Sequence, residues 1–329
     1  MSDKDTVTKE YMQDSAVFAD LFNFYLYDGE QVIKPNNLTP LDTTSVVLPY
    51  GKDGSTTPIQ KYRDILKNAT VMADEKTAYL LLGIENQSQM HYAMPPRTMM
   101  YDSMQYIIQI DAIGKTHKKN GDKASSAEYL SGLHANDKIL PVITLTVYFG
   151  ADEWIAPTDL HSMLDADKRI LKYIDNYHIH LVQPAVMTED DFLKLTTELS
   201  LVFKYIKNSK NKNKLYEMIK KDDTYKSVSK RTADLINIVT GSKLKLKNGE
   251  ENVDMCKAIE DMRNDAKAEG LAEGLSEGRA EGLAEGAREK ALTIAERLIK
   301  IGHMALDEIA DVTNLSLEEI QSLAAANTI

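Results

Sequence analysis

The pattern of apolar and polar positions in the N-terminal part of the chain predicts one helix followed by strands. In residues 15–27, SAVFADLFNFYLY, apolar side chains recur at helical spacing, which indicates an amphipathic helix. Residues 45–49, 62–72 and 77–85 are short apolar runs bounded by turn residues, which is typical of strands. The last two runs are separated by little more than Asp74 and Glu75, so we predict that they form a hairpin.

The pattern then continues with helices and strands in alternation. A helix is predicted over residues 95–114, because Pro95 and Pro96 suit a first helical turn, and a polar loop is predicted over 117–126. Residues 139–149, ILPVITLTVYF, are apolar at nearly every position, which predicts a central strand covered on both faces. A short strand at 178–182 precedes a helix capped by Thr188. This order predicts an α/β core with helices on both faces.

The last part of the chain differs in pattern and predicts only helices. Glu-Gly pairs recur every four residues from Glu269 to Glu285. A four-residue step turns an α-helix by about 400°, so the row of repeated glutamates moves around the helix by about 40° per repeat. The repeat therefore does not keep one face in a coiled-coil interface. The favoured interpretation is a solvated, partly frayed helical spacer. The alternative is a helix that associates with itself through its small-residue edge.

A small helical unit is predicted after the repeat. Leu292, Ile294, Leu298, Ile299 and Ile301 indicate an apolar helix face that ends at Gly302. Two short helices follow, the second opened by a capping box of Ser316 and Glu319. Such spacing occurs in helix-turn-helix units. Because the second helix would present acids to a DNA groove, packing or dimerisation is favoured over DNA reading.

Charge and composition narrow the functional classes. The chain of 329 residues carries a net charge of −11, which argues against a protein coated in positive potential. Residues 204–247 nevertheless hold thirteen lysines and arginines against four acids, with Tyr205, Tyr216 and Tyr225 between them. This segment is interpreted either as a surface that follows a phosphate backbone or as a solvated helical face.

Cysteine content and hydropathy predict a cytoplasmic protein without a membrane partner. Cys256 is the single cysteine, which excludes an intramolecular disulfide and a zinc site built on several thiolates. No apolar run approaches the length of about 18 residues that a membrane helix needs. The first residues, MSDKDTVTKEYMQD, are charged where a secretory signal would be apolar.

The predicted hairpin brings two carboxylates together. With residues 74 and 75 as its turn, Asp64 stands directly opposite Glu85, with Cβ atoms about 5 Å apart. Two carboxylates at that distance repel each other unless a cation lies between them, and a hard divalent cation such as Mg²⁺ suits them. Gln87 projects to the same face. A register slip by one residue would instead place the two acids on opposite faces.

These residues resemble a known nuclease core. Asp64 followed by Glu85-Asn86-Gln87 on an apolar strand looks like the PD-(D/E)XK core in its E-x-Q variant. The wider text, YRDILKN…VMADEKTAYLLLGIENQSQMHYAMPPRTMMYDSMQY and ILPVITLTVYFGADEW, is similar to the Rpn family of recombination-promoting nucleases and transposases. The likeness covers roughly residues 10–195 and extends to the Glu-Gly tail. It implies a restriction-endonuclease-like fold: a mixed central sheet flanked by helices, here with an all-helical C-terminal extension.

The resemblance implies metal-dependent hydrolysis of DNA phosphodiesters, linked to recombination or transposition. Asp64 and Glu85 would bind Mg²⁺, with Mn²⁺ or Ca²⁺ as other candidates, and Gln87 would position the attacking water at a place where the wider superfamily carries lysine. Arg97 on the following helix could hold a phosphate and supply the charge that Gln87 lacks, and Tyr101 could orient Arg97. Asp20 is either a further acid of the site or an ordinary exposed helix acid.

Four segments are expected along the chain: a nuclease-like core (1–195), a basic helical region (196–264), a repeat spacer (265–290) and a C-terminal helical unit (291–329) that mediates self-association. A catalytically degenerate relative that binds DNA or protein is the alternative to an endonuclease. His178 and His180 share a strand face, but no third ligand stands at clear spacing for a transition metal.

Overall fold

The computed structural model describes residues 3–41, 44–47, 59–62, 64–73, 76–246, 249 and 251–326. These residues divide into two compact units, Met1–Ile259 and Glu260–Ile329. The first unit contains a mixed sheet flanked by helices, and the second contains helices. The α/β class predicted from the order of elements is therefore confirmed, together with the helical C-terminal region.

Among its described residues, the first unit has nine strands: β1 (Leu38–Pro40), β2 (Thr44–Val47), β3 (Ile59–Tyr62), β4 (Ile65–Ala73), β5 (Lys76–Gln87), β6 (Val142–Tyr148), β7 (His180–Val182), β8 (Val228–Ser229) and β9 (Asn252–Val253). Five of them form one sheet in the order β1-β4-β5-β6-β7. The β1–β4 and β4–β5 pairs are antiparallel, whereas the β5–β6 and β6–β7 pairs are parallel. The sheet thus changes from antiparallel to parallel at β5.

The helices precede, separate and follow these strands: α1 (Asp3–Gln13), α2 (Ser15–Tyr27), α3 (Met94–Asn120), α4 (Ser126–Ser131), α5 (Lys168–Leu171), α6 (Glu189–Leu193), α7 (Leu199–Asn208), α8 (Lys212–Lys221), α9 (Lys230–Thr240), α10 (Met255–Ile301), α11 (Leu306–Thr313) and α12 (Leu317–Ala326). Every helix within the described residues is too short or too polar to span a membrane.

The register of the predicted hairpin is confirmed. Ile65 of β4 pairs with Ile84 of β5, and the ladder continues in step to Ala73 and Lys76. The predicted turn residues, 74 and 75, lie outside the described residues. One detail of the prediction was wrong, because the run 62–72 is not a single strand: Tyr62 ends β3, which pairs with β2 in a separate two-stranded sheet.

The two faces of the sheet are covered by different helices. Lys67 of β4 lies 4.8 Å from the centre of the Phe18 ring on α2, so α2 covers the face to which Lys67 points. Thr144 of β6 donates a hydrogen bond of 2.5 Å to Asp102 of α3, so α3 lies on the opposite face. Strand β6 is accordingly buried along nearly its whole length, as its apolar sequence predicted.

Helix α3 is longer than predicted, and the polar loop expected over 117–126 is shorter, because only residues 121–125 lie between α3 and α4. The helix continues to Asn120 and ends at Gly121, whose φ of 69° is left-handed. His117 in the last turn bonds Asp122 through Nδ1 (2.7 Å) and Asp137 through Nε2 (2.8 Å). These contacts hold the segment after α3 against the end of the helix. They join polar residues, which a pattern of apolar positions does not predict.

Residues 196–259, expected as a basic helical region, pack with the N-terminal residues in the first unit. The Tyr11 hydroxyl of α1 lies 3.2 Å from Thr232 of α9, and both side chains are buried. The expectation that residues 196–264 are helical was wrong in part, since β8 and β9 form a short antiparallel pair. Tyr205 and Tyr225 are 0% exposed, so they support the core and cannot stack on nucleobases.

The second unit has a small core of its own. Ala295, Ile309, Ala310 and Ile320 are buried, with Leu298 and Ile299 among the side chains packed against them. Ile294 and Ile301, predicted on the same face, are 49% and 59% exposed. At about 100° per residue they lie roughly 100° or more from the direction of Ala295. The Ser316–Glu319 capping box is confirmed.

The Glu-Gly repeat is helical throughout. It lies inside α10, which is continuous from Met255 to Ile301, so the expected fraying is not seen. Leu271, Leu275 and Leu283 of the repeat are 64% to 68% exposed, in agreement with a solvated helix. The segment boundaries at 195, 264 and 290 stay predictions.

Candidate active site

Asp64 and Glu85 meet where the hairpin enters the centre of the sheet. They flank the pair Ile65–Ile84, one residue before β4 and within β5. The Asp64 carboxylate accepts a hydrogen bond of 2.7 Å from the backbone N–H of Asn86. This bond fixes Asp64 beside the strand that carries Glu85 and Gln87, whose side chains are 0% and 9% exposed. The structure thus brings together the three residues of the predicted motif.

Arg97 supplies the positive charge next to these acids. Its Nη2 lies 3.2 Å from Glu85 Oε2 in an ion pair. Its Nε donates to the Tyr101 hydroxyl, also at 3.2 Å, because residues four apart on α3 share a helix face. The predicted contact between Tyr101 and Arg97 is therefore present. The predicted role of Arg97 in holding a phosphate stays a prediction; one edge of its guanidinium contacts Glu85 and Tyr101.

Burial and neighbouring charges shift the pKa values of Asp64 and Arg97. Burial raises the pKa of Asp64; the Asn86 N–H and the charge of Arg97 lower it, and the net shift is upward. Burial lowers the pKa of Arg97, but Glu85 and Tyr101 raise it by more, so the net shift is again upward. Arg97 accordingly stays charged beside Glu85, while Asp64 holds its proton more tightly than an exposed aspartate.

A cleft of about 430 Å³ opens at this edge of the sheet, and its lining includes Asp64, Gln87 and Arg97. Asp5 of α1 also lines it, and the charge of Asp5 raises the pKa of Asp64. Asp5 was not predicted at the site, because the sequence pattern was not interpreted as a helix before residue 15. A signal was present, since Thr8, Tyr11 and Met12 are buried at the i, i+3, i+4 spacing of a helix face.

Asp20 has a different role from the two that were predicted. Its carboxylate is 1% exposed and accepts four hydrogen bonds, from the backbone N–H and the hydroxyl of both Thr196 and Thr197. An acid with both oxygens satisfied in this way anchors the segment before α7. It is therefore neither an exposed helix acid nor a group presented to the cleft.

The two histidines of the β7 region have separate partners. His180 Nδ1 lies 3.2 Å from the Tyr25 hydroxyl. His178 Nε2 lies 3.4 Å from Asn176 Nδ2. Each of the two histidines thus contacts a different local partner.

Among the described residues, at least six of the thirteen cations of residues 204–247 form ion pairs with nearby acids. Ion pairs join Lys204 to Asp222, Lys210 to Asp152, Lys221 to Glu217, Lys226 to Asp223, Lys230 to Asp234 and Arg231 to Asp14. Lys212 and Lys214 at the start of α8 are exposed. This distribution favours the solvated helical face over a continuous phosphate-binding track.

The chemistry of the site suits a hard divalent cation. Two carboxylates and a carboxamide offer oxygen ligands of the kind that Mg²⁺ prefers, and Mg²⁺ commonly keeps waters and takes only one or two protein carboxylates. Within the described ranges no cluster of three or more His, Cys, Asp and Glu could hold a metal ion. Asp64 and Glu85 thus fit a cation that completes its shell with water and phosphate oxygens, and do not fit an all-protein cage.

Comparison with known proteins identifies the family. Neither a curated protein nor a solved structure matches the chain. Residues 3–233 match the family described as "Putative transposase, YhgA-like". This range includes the hairpin, the cleft and α3, and it covers more than half of the chain. The resemblance to the Rpn family drawn from the wider sequence is thereby confirmed, and the protein belongs to the YhgA-like transposase family.

Proposed function

We propose that this protein is a divalent-metal-dependent DNA endonuclease that acts in transposition or recombination. The observation that carries the proposal is the opposition of Asp64 and Glu85 in the hairpin register, with Gln87 on the same face and a cleft beside them. Membership of a transposase family supports DNA as the substrate. Mg²⁺ is the proposed cofactor, with Mn²⁺ and Ca²⁺ as the ions to compare with it.

The proposal includes a restriction-endonuclease-like core. Its support is the mixed sheet with α2 and α3 on opposite faces and the acidic pair where the antiparallel and parallel parts meet. The helical second unit is proposed to mediate self-association, for which the exposed leucines of α10 offer an apolar edge.

Each residue has a distinct part in the proposed reaction. A divalent cation, when bound, would polarise the scissile phosphate and lower the pKa of the attacking water. Asp64 and Glu85 would hold that cation, and the Asn86 N–H would keep Asp64 in place. Gln87 would orient the water through its carboxamide. Arg97 would stabilise charge on the phosphate, since a neutral carboxamide cannot do so.

Incubation of supercoiled plasmid with the full chain and Mg²⁺, Mn²⁺ or EDTA tests the proposal. We expect nicking that requires the metal and falls by more than about 100-fold in Asp64→Asn and Glu85→Gln. Asp165→Asn is the matched control, because this acid is exposed and lies outside the cleft. Cutting by Asp64→Asn and Glu85→Gln at the parental rate would falsify the site.

A degenerate binding protein is the second candidate. The Arg97–Glu85 ion pair and the glutamine at position 87 favour it, because Arg97 neutralises an acid of the site and the lysine of the wider superfamily is missing. This candidate predicts duplex binding that is unchanged by EDTA, by Asp64→Asn and by Glu85→Gln, with no nicking under any metal.

A further inference from the structure

Access to Glu85 is controlled by the residue with which it pairs. Glu85 is 0% exposed and is absent from the lining of the cleft, although Asp64 and Gln87 line it. Arg97 lines the cleft and donates to Glu85 across 3.2 Å. The guanidinium therefore covers the carboxylate on its cleft side, and a cation from solvent reaches Glu85 only after Arg97 has moved.

Charge balance also indicates that Arg97 and a metal ion compete for Glu85. The Glu85 carboxylate, paired through Oε2 with a guanidinium, already has a counter-cation, so a second cation competes with the first for the charge of that carboxylate. A dication held by Asp64 and Glu85 would also repel an Arg97 that stayed in place. Arg97 and the metal ion are thus alternative partners of Glu85.

The Arg97 side chain can bind a second anion, namely a phosphate. Arginine binds phosphate oxygens in a fork of two hydrogen bonds, and the Arg97 side chain, 32% exposed, already faces the cleft. Tyr101 holds Nε from one turn along α3. This contact keeps the guanidinium at the boundary between Glu85 and the cleft, so a rotation of the distal side chain exchanges one anion for the other.

We propose that Arg97 is a substrate-operated gate, which occupies Glu85 until a DNA phosphate draws it into the cleft and leaves Glu85 to the metal ion. This inference rests on the proposed nuclease function and adds a regulation to it: metal and DNA bind cooperatively. By linkage, DNA raises the affinity for metal by the same factor by which metal raises the affinity for DNA. The protein without DNA then has a weak metal site and cuts little.

Binding of Mn²⁺ to the full chain, followed through the electron paramagnetic resonance of the free ion, tests the gate without any cleavage. Without DNA, we expect Arg97→Gln to bind Mn²⁺ at least about tenfold more tightly than the parent. The gain should disappear in the Arg97→Gln, Glu85→Gln double variant. Lys115→Gln is the control, because it removes an exposed cation from the same helix and should leave Mn²⁺ affinity unchanged.

A short duplex supplies the second arm of the experiment. Corrected for Mn²⁺ bound by the duplex alone, DNA should raise the Mn²⁺ affinity of the parent about tenfold more than that of Arg97→Gln, because a duplex phosphate can ligate the ion in both proteins but displaces an arginine from Glu85 only in the parent. Tyr101→Phe keeps the arginine but removes the acceptor of its Nε bond, and its Mn²⁺ affinity should lie between those of parent and Arg97→Gln. This variant replaces Arg97→Gln if circular dichroism shows the latter unfolded.

The possible outcomes separate the gate from the function. If the parent nicks plasmid through Asp64 and Glu85, but Arg97→Gln and Tyr101→Phe bind Mn²⁺ no more tightly than the parent, the gate is wrong and the nuclease stands. If the variants bind Mn²⁺ more tightly through Glu85 but no protein nicks plasmid, the gate stands and the nuclease is wrong. Absence of Mn²⁺ binding in every protein overturns both.

Discussion

Arg97 and Glu85 form a 3.2 Å ion pair at the position where the hairpin sequence predicts a divalent cation. The two residues lie on different elements, α3 and β5, and only the packing of the helix over the sheet brings them together. The pair neutralises a fully buried carboxylate, and it changes what the loss of Glu85 should do to stability.

Glu85→Gln should destabilise the metal-free protein. The change leaves the Arg97 guanidinium without its anionic partner beside a buried position, and the free energy of unfolding should fall by about 1 to 3 kcal/mol. Urea unfolding at pH 7 in EDTA measures this loss. Asp111→Asn is the control, since it breaks an exposed pair on the same helix and should cost nothing measurable. A stable Glu85→Gln variant would contradict the ion pair.

Asp64→Asn should have the opposite effect without metal. Its pKa is raised in the folded protein, so its stabilising contribution is present below the unfolded pKa of about 4 and is lost as the pH rises through the folded pKa. At pH 7 the neutral amide should therefore raise the melting temperature. Melting curves from pH 3 to pH 8 check this, and parent and variant should converge at the acid end. Asp165→Asn should show no such trend.

Asp20→Asn should lose stability and keep the metal site. The substitution places an amide among four donors from Thr196 and Thr197, which should cost about 3 kcal/mol. Urea unfolding measures the loss, and the Mn²⁺ titration should give the parental affinity. Loss of Mn²⁺ binding in a folded Asp20→Asn variant would return Asp20 to the site.

His117 should make stability depend on pH above its unfolded pKa of about 6.5. Its bonds to Asp122 and, secondly, to Asp137 raise its pKa, so the stability that it supplies is complete below about pH 6.5 and is lost as the pH rises through the raised pKa. His117→Gln should therefore lower the melting temperature at pH 6 and converge with the parent near pH 9. His303→Gln, a change at an exposed histidine, should show the same small difference at both pH values.

Removal of the C-terminal unit should leave the first unit folded. The first unit extends to Ile259, and Met255, Ala258 and Ile259 of α10 are buried. A chain of residues 1–265 keeps these side chains and should melt cooperatively. Light scattering should show that any self-association of the full chain is lost. A truncated chain that aggregates would show that the second unit is needed for folding.

The amino-acid sequence by itself determined the local structure around the site. Alternation of side chains with a period of two, together with the position of the turn, specified that Asp64 faces Glu85, because a slip by one residue would expose the apolar face. Local capping signals specified the starts of the helices at Thr188 and Ser316 in the same way. The apolar run of β6 specified a strand covered on both faces.

Only the tertiary structure decided what surrounds that pair. Arg97 approaches Glu85 because α3 packs over the sheet, Asp5 reaches the cleft because α1 lies beside β4 and β5, and Asp20 is withdrawn into contacts with residues far along the chain. Periodicity reports which way a side chain points from its own element, not which partner another element presents to it. The partners of charged side chains depend on that long-range packing, which therefore decided how the acids are neutralised.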